Sequence, residues 1–193
     1  MKIVIIDYGA GNIKSIQFAF QRLGYEAVLS HDIDEIKAAD KVIFPGVGES
    51  SSDMQNLIEG VLDAVIPTLT QPVLGICLGM QLMCKHSEEG NTFGLGIFDV
   101  EVRRFSNTMK VPQMGWNVIF DLKSPLFEGI KDKEFMYLVH SYYAEICPEV
   151  IAKTDYDVVY ASALQKENFF GVQFHPEKSG KEGEKILQNF LNL

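Results

Sequence analysis

Residues 73–83 read VLGICLGMQLM. From Pro72 to Cys77 the run is continuously apolar, as in a strand buried on both faces, and the spacing after it predicts a helix over 78–86. Gly75 and Gly79 stand two positions to either side of Cys77. The resulting G-x-C-x-G has the form of the nucleophile elbow, in which a strand turns sharply into a helix and the glycines keep side chains clear of the turn. A sulfur there would lie at a helix N-terminus, where the dipole and free N–H groups favour thiolate and the Leu78 N–H would face an oxyanion. A cysteine in an apolar run is more often a small core residue. Its partners must therefore settle its role.

Outward from this point the chain alternates strand and helix. KIVIID at 2–7 is an apolar strand, followed by a helical pattern with Ile13, Ile16, Phe20 and Leu23 on one face and Gly24 as its stop. AVLS at 27–30 and KVIFPG at 41–46 are strands. Asp32 and Glu35 open a short helix between them, and a longer helix runs from Ser50 to Ile66 ahead of Pro67. The second half is richer in strands, expected at 97–105, 116–121, 135–140, 143–147, 150–154, 157–164 and 169–174. A last helix spans 180–192, with Ser179 and Glu182 as its S-x-x-E cap. The chain is expected to form one domain, residues 1–193, of the α/β class. It would be a three-layer sandwich with a mainly parallel central sheet and extra antiparallel strands in the second half. Ligands gather at the carboxyl ends of parallel strands, which draws attention to the loops 8–12, 45–52, 77–81 and 175–179.

Composition excludes several functions. A net charge of −9, from 17 basic and 26 acidic residues, argues against nucleic acid as the main partner. Residues 64–84 carry no charge, but Pro67 and Pro72 interrupt them, and no membrane span is expected. The cysteines, Cys77, Cys84 and Cys147, are odd in number, and no leader pattern precedes the first strand, so a reducing cytoplasm is expected. Without CxxC or HExxH, the four histidines suggest no metal site. DYGAGN at 7–12 has Lys14 where a dinucleotide fingerprint needs a third glycine, and PGVG at 45–48 lacks the Gly-Lys-Ser/Thr of a phosphate loop. Both read as tight turns exposing backbone N–H groups. Cys84, inside the helix, and Cys147, before a proline, are given structural roles. His31 and His86 read as exposed residues flanking helices.

GVQFHPEKS at 171–179 supplies the missing partner. Pro176 biases His175 toward an extended backbone. Residues two apart then project to one side, so Glu177 can hold one ring nitrogen of His175 while the other faces Cys77. That is a nucleophile, a base and an orienting carboxylate.

GICLGMQ at 75–81 together with GVQFHPEKS resembles the class I glutamine amidotransferases. DYGAGN, PGVG, MGWN at 114–117 and VHSY at 139–142 resemble, more narrowly, the glutaminase subunits of imidazole glycerol phosphate synthases. The resemblance implies Cys77 as nucleophile, His175 as general base and acid, and Glu177 as orienter, in a chemistry that needs no metal or organic cofactor. It implies an oxyanion hole from the backbone of Gly48 and Leu78, and glutamine held by Gln81, Glu89, Ser141 and Tyr142. It further implies a heterodimer with a TIM-barrel cyclase that consumes the ammonia, met through Asn12, Met114, Trp116, Tyr137 and Lys178. Gln113 departs from the histidine of many relatives. Paralogues that supply ammonia for surface-sugar amidation share nearly the same motifs. A peptidase on a similar fold and a non-catalytic relative are the other readings. Gln81 and the HSY segment argue against the first, the complete set of Cys77, His175 and Glu177 against the second.

Overall fold

A computed structural model describes all residues, Met1–Leu193. The first half is a run of parallel strands with helical connections: β1 (Ile3–Ile6), α1 (Ile13–Arg22), β2 (Ala27–Ser30), α2 (Ile33–Lys37), β3 (Lys41–Phe44), α3 (Ser50–Glu59), α4 (Leu62–Val65), β4 (Val73–Ile76) and α5 (Leu78–Met83). The second half holds β5 (Cys84–Ser87), β6 (Thr92–Phe93), β7 (Phe98–Arg104), β8 (Gln113–Ile119), β9 (Glu134–His140), β10 (Tyr142–Ala144), β11 (Val150–Tyr156), β12 (Val158–Lys166), β13 (Phe169–Val172) and α6 (Gly180–Asn192).

Eleven strands make one sheet in the order β2-β1-β3-β4-β13-β12-β10-β7-β5-β6, with β11 added on β12. From β2 to β13 every pairing is parallel, and β12 and β10 continue it antiparallel. The apolar runs explain the parallel part. Along β1, Val4 and Ile6 enter one core cluster while Ile3 and Ile5 enter the other; Val42 and Phe44 of β3 are divided from Ile43 in the same way. Strands apolar on both faces need cover on both, and the helices supply it. Ile16 and Phe20 of α1 and Ile186, Leu187 and Phe190 of α6 close one face, while Met54 and Leu57 of α3 and Leu62 of α4 close the other. The resulting three layers match the expected class. Strands β8 and β9 form a separate antiparallel ribbon, with Trp116 opposite Tyr137, pinned by Ile119, Met136 and Leu138 in the α1/α6 core.

Three local expectations are corrected. The helix after Cys77 stops at Met83, because 84–87 pairs as a parallel strand with β7. Lys85–Asp99 and His86–Glu101 contacts run across that pairing, and Cys84 and His86 lie on a strand. The expected helix over 50–66 breaks at Gly60 and Val61, where Val61 takes φ 60, and Pro67 sits within a 3-10 turn. Ser179 does not cap α6 with its side chain; its hydroxyl is used at the site below. Asp32, by contrast, caps α2 through Glu35 N–H at 2.8 Å. No helix is long and apolar enough to cross a membrane.

Candidate active site

Cys77 follows β4 directly and precedes α5. Its backbone is at φ 54, ψ −111, a conformation that strains any residue with a Cβ. The turn is enforced by its neighbours. Cys77 N–H donates to Val172 O at 2.8 Å, and Met80 and Gln81 N–H return to Cys77 O at 3.1 and 3.3 Å. Gly79 admits no substitute, since a Cβ there would lie 2.0 Å from the Phe44 carbonyl oxygen. Backbone cannot give way as a flexible side chain can. Gly79→Ala is therefore expected to destabilise the fold by about 2–3 kcal/mol and to remove activity by prising β3 from the elbow. Urea unfolding of the variant checks this.

His175 is 1% exposed and Cys77 6%, so both side chains lie largely away from bulk water. His175 N–H donates to Tyr137 O at 2.9 Å. The Ser179 hydroxyl donates to His175 O at 2.6 Å and accepts from Tyr137 N–H at 3.0 Å. This sewing of the histidine to β9 is what replaces the expected cap. Nδ1 of His175 lies 2.9 Å from Glu177 Oε1. His175 is extended as expected, but the approach comes from a 3-10 turn over Pro176–Lys178 and not from a continued extended run. Asn12 Nδ2 also donates to Glu177 Oε1, at 2.9 Å, so a residue expected at a partner surface supports the orienting carboxylate.

Burial acts to lower the His175 pKa. Charge on Cys77 and the bond and charge of Glu177 outweigh it and raise the value to about 10. Nε2 of His175 has no hydrogen-bond partner within the chain, which leaves it for a reacting proton. These features place a cysteine sulfur beside a histidine whose ring is held by a carboxylate.

Around them is a cavity of about 470 Å³. Residues from all four loops singled out in the sequence reach it: Asn12, Gly48, Cys77, Leu78, Gln81, His175 and Lys178. Glu89, Ser141 and Tyr142 complete the set expected to hold glutamine. Glu89 Oε2 accepts from Ser50 N–H at 2.9 Å and Ser50 Oγ at 2.7 Å, which fixes the carboxylate at the cavity wall. Leu78 N–H donates to Gly46 O at 3.3 Å. That N–H is therefore engaged by the loop backbone and does not point freely into the cavity. Tyr8, whose hydroxyl donates to Pro45 O at 2.5 Å, anchors the start of the same loop.

At the rim, Met114 is 64% and Trp116 55% exposed. Trp116 meets Tyr137 edge-on at 6.1 Å, Lys178 Nζ lies 5.9 Å from the Tyr137 ring centre, and Tyr137 is 6.4 Å from the His175 ring. An exposed apolar surface thus continues directly into the site.

Sequence reasoning missed two buried residues here. Gln173 Nε2 lies 3.6 Å from Cys77 Sγ. His140 contacts Tyr142 O through Nδ1 at 2.7 Å and Tyr160 Oη through Nε2 at 3.1 Å. Both fall at strand-end positions that read as packing; a polar residue in an otherwise apolar strand was the available signal.

The fold, with Cys77 on its strained turn beside His175 and Glu177, points to the glutamine amidotransferases. The family model for class-I glutamine amidotransferases matches residues 4–193, and the chain belongs to that family. A solved glutamine amidotransferase, 19% identical, shares the fold with a TM-score of 0.77 over 98% of this chain and 97% of that one. Within the family the chain groups with the imidazole glycerol phosphate synthase subunits HisH. That of Bacteroides fragilis is 56% identical over the full length of both chains. That of Haemophilus influenzae is 48% identical over 99% of this chain and 97% of its own.

Proposed function

We propose that the chain is the glutaminase subunit of an imidazole glycerol phosphate synthase, a single cytoplasmic domain that hydrolyses L-glutamine and hands ammonia to a cyclase subunit in histidine biosynthesis. The observation that carries this is the strained Cys77 elbow facing a His175 held by Glu177. The sulfur attacks the side-chain amide carbon of glutamine, and the C–S bond forms as the C=O electrons move to oxygen. The N–H groups of Leu78 and Gly48 are the donors for that oxyanion, once Gly46 O is displaced. His175 Nε2 gives its proton to the amide nitrogen, the C–N bond breaks, and ammonia leaves. His175, now neutral, takes a proton from water as the water attacks the thioester. Glutamate departs and the thiolate–imidazolium pair returns. Gln81, Glu89, Ser141 and Tyr142 position the amino-acid end, and a buried site of this size excludes larger amides.

Ammonia released into water becomes mostly ammonium, which is not nucleophilic, so the consumer must seal the rim. Asn12, Met114, Trp116, Tyr137 and Lys178 are the contacts assigned to a TIM-barrel cyclase. Trp116→Ala is expected to weaken the complex about 30-fold or more, with little effect on thermal stability because the ring is half exposed; titration calorimetry against the cyclase measures it. The deciding experiment is glutamate release with and without the cyclase and its nucleotide ligand. Strong stimulation supports the assignment. Hydrolysis indifferent to the cyclase would transfer the same chemistry to another synthase.

A further inference from the structure

We propose that Gln173 is a further catalytic residue: its side-chain amide donates a hydrogen bond to the Cys77 sulfur, and a chain beginning at the wall of the substrate pocket sets the direction of that amide. The inference rests on Cys77 being the nucleophile.

Gln173 is fully buried, two residues before His175 and one beyond β13. Its Nε2 is 3.6 Å from Cys77 Sγ, and its Oε1 is 2.8 Å from Gln81 Nε2. Which end of the amide faces the sulfur follows from the neighbours. The Tyr142 carbonyl can only accept. Gln81 therefore turns its Nε2 to it, at 2.9 Å. The second hydrogen of that nitrogen points at Gln173 and requires an acceptor, so Gln173 presents Oε1 to Gln81 and Nε2 to the sulfur. Tyr142 is itself held. Burial pushes His140 down to about 4, so its ring is neutral, and the nitrogen facing a carbonyl must be the one that carries hydrogen. His140 and Gln81 thus both donate to the Tyr142 carbonyl, and its position is fixed.

Apart from His175, whose pKa this sulfur raises, Cys77 Sγ has one other polar neighbour, the Val139 carbonyl at 3.9 Å. An acceptor suits the S–H form; the Gln173 N–H suits the thiolate, which gains a charge-assisted bond. Gln173 thereby favours the reactive form and fixes the sulfur's direction of attack. Gln81 lines the pocket, so the group that orients Gln173 is one the substrate touches.

Two isosteric variants test this. Gln173→Met removes the donor without adding charge. Gln173→Glu keeps the acceptor toward Gln81 but turns a negative acceptor on the sulfur. In each, kcat for glutamine is expected to fall about 10–100-fold with KM changed less than about 3-fold. Iodoacetamide alkylation of Cys77 at neutral pH should slow, with its pH profile displaced to higher pH, more in Gln173→Glu than in Gln173→Met. A merely structural role would not move that profile. A Gln173→Met protein with unaltered kcat and alkylation profile would overturn the proposal while Cys77→Ala remained inactive; hydrolysis surviving in Cys77→Ala would instead remove the nucleophile reading beneath it. Should the variants not fold, the wild-type protein carries the test. The Gln173 side-chain amide proton must move upfield when methyl methanethiosulfonate caps Cys77, and a resonance that stays in place counts against the bond.

Discussion

Cys77→Ala is expected to lower glutamine hydrolysis by at least about 10⁴-fold, and Cys77→Gly by as much, yet the two inactive proteins should differ in stability. At φ 54 and ψ −111 alanine keeps the steric conflict that cysteine suffers, because both have a Cβ. Glycine does not. Cys77→Gly should therefore be more stable than Cys77→Ala by about 1–2 kcal/mol, read from urea unfolding. The comparison isolates backbone strain, since neither variant has a sulfur or a bond to Gln173. Because glycine also loses about 0.5–1 kcal/mol more chain entropy on folding than alanine, equal stabilities would limit the strain at Cys77 to that small amount. Higher stability in the glycine variant would show directly that the fold tolerates a local cost to hold a nucleophile where a side chain fits poorly. It would also explain the flanking glycines. With Cys77 fixed in this geometry, the helix that follows must pass beside β3, and Gly79 is where their backbones meet.

What could be read in advance divides along physical lines. The parallel core was legible because β1 and β4 carry no polar side chain and β3 none after Lys41, and only burial on both faces explains such runs. Cys77, His175 and Glu177 were legible because turn glycines and a proline constrain the backbone locally. The end of α5 was not. LGMQLMCKH has helical spacing, and only the pairing of 84–87 with a strand more than ten residues later overrides it. Gly60 was a local warning of the break between α3 and α4, and it was passed over in favour of Pro67. Ser179 fits a capping pattern, but a hydroxyl has few bonds to give, and those to His175 and Tyr137 take precedence. Asn12 shows a contact that no local pattern announces: expected at a partner surface, its side chain also donates to Glu177, far away in sequence. Gln173 stayed hidden because a buried amide shows its purpose only through partners distant in sequence, Cys77 and Gln81, and His140 because a histidine ending an apolar strand reads as packing.

The raised His175 pKa leads to the second large effect. Glutamine hydrolysis should hold through neutral pH and decline on the alkaline side only as pH approaches about 10, where His175 gives up the proton that the leaving nitrogen needs. Stability follows the same direction. A histidine raised on folding contributes fully below its unfolded value of about 6.5, and that contribution is lost as pH rises through the folded value. Burial already works against the charged ring, so weakening the support from Glu177 should bring the alkaline limb toward neutrality. Glu177→Gln retains an oxygen for His175 Nδ1 and for Asn12, and so keeps the tautomer while losing the charge. A fall in kcat of about 10–100-fold with a displaced alkaline limb is expected. Glu177→Ala loses both functions and should fall further, toward the roughly 10³–10⁴-fold deficit expected of His175→Ala. Asn12→Ala should displace the limb less than Glu177→Gln, because it removes a bond to the carboxylate and not the carboxylate itself. An alkaline limb at the same pH in wild type and in Glu177→Gln would mean that Glu177 orients the ring without stabilising its charge. The high value for His175 would then have to come from the Cys77 thiolate alone.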